Sequence, residues 1–399
     1  MGLIHTDCTT HSFDADRWVV RTPAGRHLLL SRESHDLLQL LGGATDWREA
    51  AQRFNATYGE DLAEPEFRQL VTDNFAGYRI LAGEEEADEI PRRKSYLTAR
   101  FPVVPEGLAG TLARVFVPLF APRTFWWLFP AVIILGAILL YLQYTQFFWQ
   151  APIRGAWTTA GLLALGYLMH ELGHIAGCRA AGSAHGAIGV GLYFFMPVCY
   201  ADVSGIWTAN RQQRTIANLG GIYLESLYCV GLTLVYAVTG GYYFLGAATV
   251  LAVNLLFELN PFFRNDGYWI LSDVTNTPNL VERSARRFRQ LFTPLRAGEP
   301  ARDPRWLAAY AVANTTFMLG SLGLLIYHNY AALIAFPALL GRTLSAWLVL
   351  DFQTQVPTYA WFLYLVIYYL CGKLLLTLLT TLLRKLRSSP APAAGPARS

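Results

Sequence analysis

Apolar runs of roughly twenty residues recur from about residue 125 to the C-terminal region, and they constrain the fold more than any other feature. A helix rising about 1.5 Å per residue needs about twenty residues to cross some 30 Å of hydrocarbon. Lipid offers backbone amides no hydrogen-bond partner, so such runs are expected to be helices. They fall at 125–147, 156–178, 216–238, 241–260, 306–327 and 358–382, which gives about six transmembrane helices. The stretch 330–350 is also apolar but contains Pro337 and Arg342, and is expected to be a non-spanning or re-entrant element. Charged residues make up 15% of the chain, against about 25% in soluble domains.

The charge is unevenly spread. Residues 1–90 hold 17 acids and 8 Arg or Lys, a net of −9, and residues 91–399 hold 11 acids and 24 Arg or Lys, a net of +13. An acidic polar head joined to a basic apolar body reads as a soluble domain followed by a multi-pass membrane domain. Residues 1–17 carry Asp7, Asp14 and Asp16 and lack the apolar core of a signal peptide, so the head is expected to stay cytoplasmic. Basic residues cluster on alternate connections (92–123, 179–214, 283–305) and in the tail at 384–387. By the positive-inside bias all four face the cytoplasm, consistent with the cytoplasmic (inner) membrane. The arginine-rich 283–305 stretch suits lipid headgroups. Five cysteines without CxxC spacing point to small buried hydrophobes rather than disulfides or a thiolate metal site.

The head has the pattern of a small α+β unit. Arg17–Val20 and His27–Leu30 flank a Pro-Ala-Gly turn, as in a β-hairpin. Ser31 and then Thr45 or Asp46 can cap two helices, and Glu64-Pro65 can open a third. Tyr78–Leu81 suits a closing strand. This pattern is winged-helix-like, but a net charge of −9 argues against nucleic acid and for a peptide or protein partner.

The chemistry is concentrated in the second apolar run, which reads Leu168-Met169-His170-Glu171-Leu172-Gly173-His174-Ile175. Two histidines four apart share one helix face and can bind one metal, and Glu171 can take a proton from a water that this metal activates. Three ionisable residues within five positions of a membrane helix are costly and mark a functional site. A catalytic zinc site takes three protein ligands and leaves one position open. The third ligand is a carboxylate: Asp266 in the Asn265-Asp266-Gly267 turn after the Asn260-Pro261 break, or Glu258, Glu225 or Asp202. Gly166, Gly173 and Gly177 lie along the same helix and would let a neighbour approach closely. The following segment, 185–200, suits either a re-entrant hairpin whose edge holds an extended substrate or a simple interfacial loop; His185 within it can be a spare ligand or a surface histidine.

His170-Glu-Leu-Gly-His174 in one span, with Asn260-Pro261 and Asp266-Gly267-Tyr268 at the end of a later one, resembles the site-2 protease family of intramembrane zinc metalloproteases, in particular its peptide zinc metalloprotease branch. Met196-Pro-Val198, Asp202-Val-Ser204 and the run Arg214, Asn218, Gly220-Gly221 extend the resemblance over about residues 95–275. It implies His170, His174 and Asp266 as zinc ligands and Glu171 as the base. Two positions depart from the family pattern. Gly220-Gly221 stands where many relatives have Gly-Pro, and Glu258 stands where other branches have Asn. An oxyanion or substrate-positioning role then falls to Asn218, Asn260 or Glu258. The head resembles the small PqqD-like domains that bind leader peptides.

The expected organisation is a peptide-recognition domain at 1–83, a linker and juxtamembrane segment at 84–123, a catalytic transmembrane core at 124–275, a basic cytoplasmic loop at 276–305, C-terminal transmembrane helices at 306–385 and a disordered tail at 386–399. The expected activity is hydrolysis of a peptide bond in a peptide or membrane-segment substrate, such as leader removal from a ribosomally made peptide. Cleavage of a membrane-tethered signalling protein is the alternative within that class, and a non-catalytic transport or binding component is the alternative outside it.

Overall fold

The computed structural model describes residues 3–23, 25–75, 78, 80–82, 97–150, 155–193, 196–292, 304–348 and 359–387. Met1–Asn279 and Leu280–Ser399 form two compact units.

The first unit opens with three antiparallel strands, β1 (Thr9–Ser12), β2 (Arg17–Arg21) and β3 (His27–Ser31), in the order β1-β2-β3. The β2–β3 hairpin is the expected one, with Val19 opposite Leu29. Strand β1 escapes the sequence reading because Thr-Thr-His-Ser is polar and exposed at every position, so no alternation marks it. Helix α1 (Arg32–Gly42) starts where the Ser31 hydroxyl accepts from the Ser34 amide. Helix α2 (Trp47–Tyr58) is capped by Asp46 and ends at Gly59, whose φ of 70° only glycine adopts readily. Helix α3 (Glu64–Phe75) buries Phe67, Val71 and Phe75 against Val20, Leu41 and Ala50. Of the closing strand expected at 78–81, the described residues show one antiparallel bridge, between Ile4 and Leu81. The acidic-to-basic run from Glu84 to Lys94 lies outside the described residues.

The rest of this unit comprises β4 (Thr98–Val104), α4 (Glu106–Arg114), α5 (Pro122–Gln150), α6 (Ala156–Ala180), β5 (Ile188–Tyr193), β6 (Met196–Ala201), α7 (Arg211–Thr239), α8 (Tyr242–Glu258) and α9 (Asp266–Val274). The 185–200 segment forms the β5–β6 hairpin, and β4 pairs with it from far upstream to give a sheet of order β4-β5-β6. Helices α6 and α7 cross with their backbones nearly touching. A Cβ on Gly173 would stand 2.1 Å from the Gly220 carbonyl oxygen, and one on Gly177 would stand 2.7 Å from Ala217 Cα. Gly166 meets a side chain instead, that of Leu251 on α8. Phe120, Phe125 and Phe129 pack round Tyr223 with ring centroids 5.2–5.9 Å from it, fastening α5 to α7.

The second unit contains α10 (Leu280–Arg289), α11 (Trp306–Leu348) and α12 (Tyr359–Arg387). The expected separate element at 330–350 is corrected here: through Leu348 those residues continue α11, a single helix of 43 residues with Pro337 inside it. Proline removes one backbone donor, and packing compensates. Phe336 meets Trp361, Tyr364 and Tyr368 of α12, and the Tyr368 hydroxyl donates to the Leu333 carbonyl at 2.8 Å.

Among the described residues four helical stretches are long and apolar enough to cross a membrane: Pro122–Gln143, Arg211–Thr239, Trp306–Leu348 and Ala360–Thr381. The other two expected spans are helical as well. In α6 the histidines, Glu171 and Arg179 dilute the hydropathy, and α8 has only 17 residues.

The crossing predicts opposite outcomes for two glycines of α6. Gly173→Ala forces α6 from α7 and should destabilise the protein by about 1–3 kcal/mol or more. Gly161→Ala, whose new Cβ meets nothing within 4 Å, should leave stability unchanged or raise it slightly. Thermal unfolding of both variants in detergent checks the contrast.

Candidate metal centre

Helical spacing places His170 and His174 on one face of α6, and their Nε2 atoms lie 3.1 Å apart. The Asp266 Oδ2 atom completes a triangle, 3.1 Å from the first and 3.2 Å from the second. Four ligands about 2.0–2.1 Å from a tetrahedral zinc lie about 3.3–3.4 Å from one another, so these spacings fit a metal with a little relaxation. This is the one cluster of three potential metal ligands among the described residues.

The outer nitrogens fix which atoms face inward. His174 Nδ1 lies 2.9 Å from the Ala217 carbonyl, which can only accept, so its Nδ1 carries the proton and its Nε2 offers a lone pair. His170 Nδ1 lies 2.7 Å from Glu225 Oε2, a carboxylate on α7 with 0% exposure. Ligating histidines are commonly oriented by such a carboxylate. Two lone-pair nitrogens and a buried Asp266 Oδ2 without a hydrogen-bond partner thus converge on one point. With no proton among them they repel, and a cation relieves that repulsion. Space for it is kept by Gly221, where a Cβ would fall 2.4 Å from His174 Nε2 and 2.6 Å from His170 Nε2. The donor set, the orphaned oxygen and the cradle all fit zinc.

Asp266 reaches this point because the chain reverses after α8. Asn260 Oδ1 accepts from the Phe262 amide at 2.9 Å in an Asx turn, and Pro261 prevents the helix from continuing. Helix α9 then begins at Asp266 with its start folded back on the end of α8. A Cβ on Gly267 would stand 2.2 Å from the Leu259 carbonyl oxygen, so glycine is required sterically next to Asp266. Glu171 is buried one residue from the first histidine, and its carboxylate sits against the Ala201 backbone amide at the end of β6.

The remaining candidates separate from the cluster. Asn218 Nδ2 donates to Asp273 Oδ2 at 2.6 Å, which ties it to α9. Asn260 serves its turn. Asp202 accepts from the Ser204 amide and hydroxyl. His185 lies 3.3 Å from an Arg179 nitrogen. Glu258 ends α8 close enough to interact electrostatically with Asp266 and His170, yet it is not a member of the ligand cluster. Glu225 was legible only as a rival ligand, although an ionisable residue within a membrane helix is itself a signal of function. Arg214 and Asp273 form a second buried pair at 2.8 Å. Burial pushes the Asp273 carboxyl above its ordinary range despite the guanidinium beside it.

Two substitutions probe the centre without touching its donor atoms. Glu225→Gln should weaken zinc binding about 10–100-fold, as loss of an outer carboxylate typically does. Gly221→Ala should abolish stoichiometric zinc, because its methyl group occupies the space between the two imidazoles. Chelator competition and metal analysis of the purified proteins measure both.

No protein-family profile matches the chain, and no solved structure matches it. A stretch of 106 residues, 26% of the chain, is 30% identical to the Bacillus subtilis (strain 168) protein named "Putative peptide zinc metalloprotease protein YydH". The matched stretch spans 42% of that relative's length.

Proposed function

We propose that the protein is an intramembrane zinc metalloprotease in which His170, His174 and Asp266 hold the metal and Glu171 is the general base. The observation that carries this reading is the meeting of two histidine nitrogens and one carboxylate oxygen within 3.2 Å, beside a second, buried carboxylate, Glu171, that lies outside this triangle. The named activity of the Bacillus subtilis relative agrees with it. When bound there, zinc supplies a Lewis acid that polarises a peptide carbonyl and lowers the pKa of water. Glu171 takes the proton from the attacking water and delivers it to the leaving amine as the C–N bond breaks. Glu225 and the Ala217 carbonyl hold the two imidazoles in the required tautomer throughout.

A peptide is the substrate class best suited to the surroundings. Among the described residues strand β6 ends its sheet, with a strand on one side of it only. The Asp202 amide pairs inward with Ala187, and alternation therefore turns the backbone groups of Cys199 and Ala201 outward, toward α6. An extended chain added along that edge would present its backbone beside Glu171. Leader removal from, or maturation of, a ribosomally made peptide fits this geometry and an acidic head. The expected setting is the cytoplasmic membrane with the head in the cytoplasm.

Glu171→Gln should retain about one zinc per chain while cleavage of peptides encoded beside the gene falls about 10²–10⁴-fold. Wild-type protein that takes up no zinc under the same conditions would overturn the assignment.

A further inference from the structure

The head does not merely hang from the membrane domain: its β1–β2 turn is inserted against the far end of α9. Phe13 is 5% exposed. Its ring stands 3.9 Å from the Arg214 guanidinium and stacks on Trp207 with centroids 6.2 Å apart. Trp207 in turn meets Trp269 of α9 edge-on at 6.4 Å. Asp14 Oδ2 accepts from the Asn276 side chain at 2.7 Å, and Arg17 donates to the Asn276 carbonyl at 3.0 Å. Arg17 also donates to Asp14 and covers Phe13, so the three residues act as one patch.

What this patch touches matters because of how α9 is held. Helix α9 runs antiparallel to the first turns of α7. Asp266 at its start faces Gly221 and the histidines, and Asp273 at its end pairs with Arg214 and Asn218. Seven residues separate the two aspartates, and seven separate Arg214 from Gly221, so both helices cover about 10 Å between the same two points. Arg211 adds a donated bond to the Val274 carbonyl. Helix α9 is therefore a short strut: one end carries the third donor atom, and the other is clamped by Arg214. That arginine, 1% exposed, gives its edge to Asp273, to the Ala209 carbonyl at 2.9 Å and to Asn276, and its face to Phe13. Without the head, the clamp would open to water, and a solvated arginine–carboxylate pair holds geometry far less firmly than a buried one.

We propose that Phe13, Asp14 and Arg17 of the head are positioning residues for the metal centre, holding the Arg214–Asp273 clamp shut and thereby setting Asp266. Whatever displaces the head then also loosens the third ligand, which couples occupancy of the head to the site. This inference rests on the metal centre proposed above, but its strut can be tested without metal.

The test uses the full-length protein in detergent and the double variant Phe13→Ala/Asp14→Ala. Zinc affinity is measured by chelator competition, and amide exchange is followed over α9 (Asp266–Val274) and over α3 in the head. The expected result is about tenfold weaker zinc binding and faster exchange in α9, with α3 still protected. Zinc affinity within twofold of wild type and unchanged α9 exchange would overturn the proposal. Should the double variant also lose α3 protection, the milder Arg17→Ala variant decides by the same two readouts. Faster α9 exchange in a protein whose wild type binds no zinc would support the strut while sinking the metalloprotease reading. Normal zinc uptake and peptide cleavage by wild type and variant alike would do the reverse.

Discussion

The contact on which the candidate metal centre depends is the crossing of α6 and α7 at Gly173 and Gly220. Each glycine's missing side chain is occupied by the other helix's backbone. Association in lipid gains little from the hydrophobic effect, because the tails are as apolar as leucine, so close packing and polar contacts must hold helices together. Here the close approach does both. It lets Gly221 line the space between the imidazoles, brings the Ala217 carbonyl to His174 and carries Glu225 to His170. A side chain at the crossing would move all three at once.

The electrostatics of the centre follow from that proximity. Glu171, Glu225 and Asp266 are acids gathered around two histidines, with little water to screen them. Such a cluster is stable only if its charges are compensated, and a divalent cation compensates the larger part. The two imidazoles cannot do so while each keeps its inner nitrogen free to donate a lone pair.

Below the centre, the Arg214–Asp273 pair extends the order of the site toward the head. Asp14 joins the two regions: burial raises its carboxyl, but hydrogen bonds from Arg17, the Asp16 amide and Asn276 more than offset this and hold it below the usual range. An acidic head with a net charge of −9 thus spends part of its charge on an internal contact, rather than presenting all of it to a partner.

The local elements and the local chemistry are legible in the residues. The β2–β3 hairpin, the helices capped by Ser31 and Asp46, and the His170–His174 pair on one helix face all follow from short-range spacing and capping. The break at Asn260-Pro261 before Asp266 was legible for the same reason. Which distant groups meet depends on packing between elements far apart in the chain. That packing recruited β4 to the β5–β6 hairpin, made Glu225 the partner of His170, tied Asn218 to Asp273, and carried α11 through Pro337. These outcomes are set by helix crossings and by the burial of charge across long sequence separations. No periodicity of 2 or 3.6 residues encodes them.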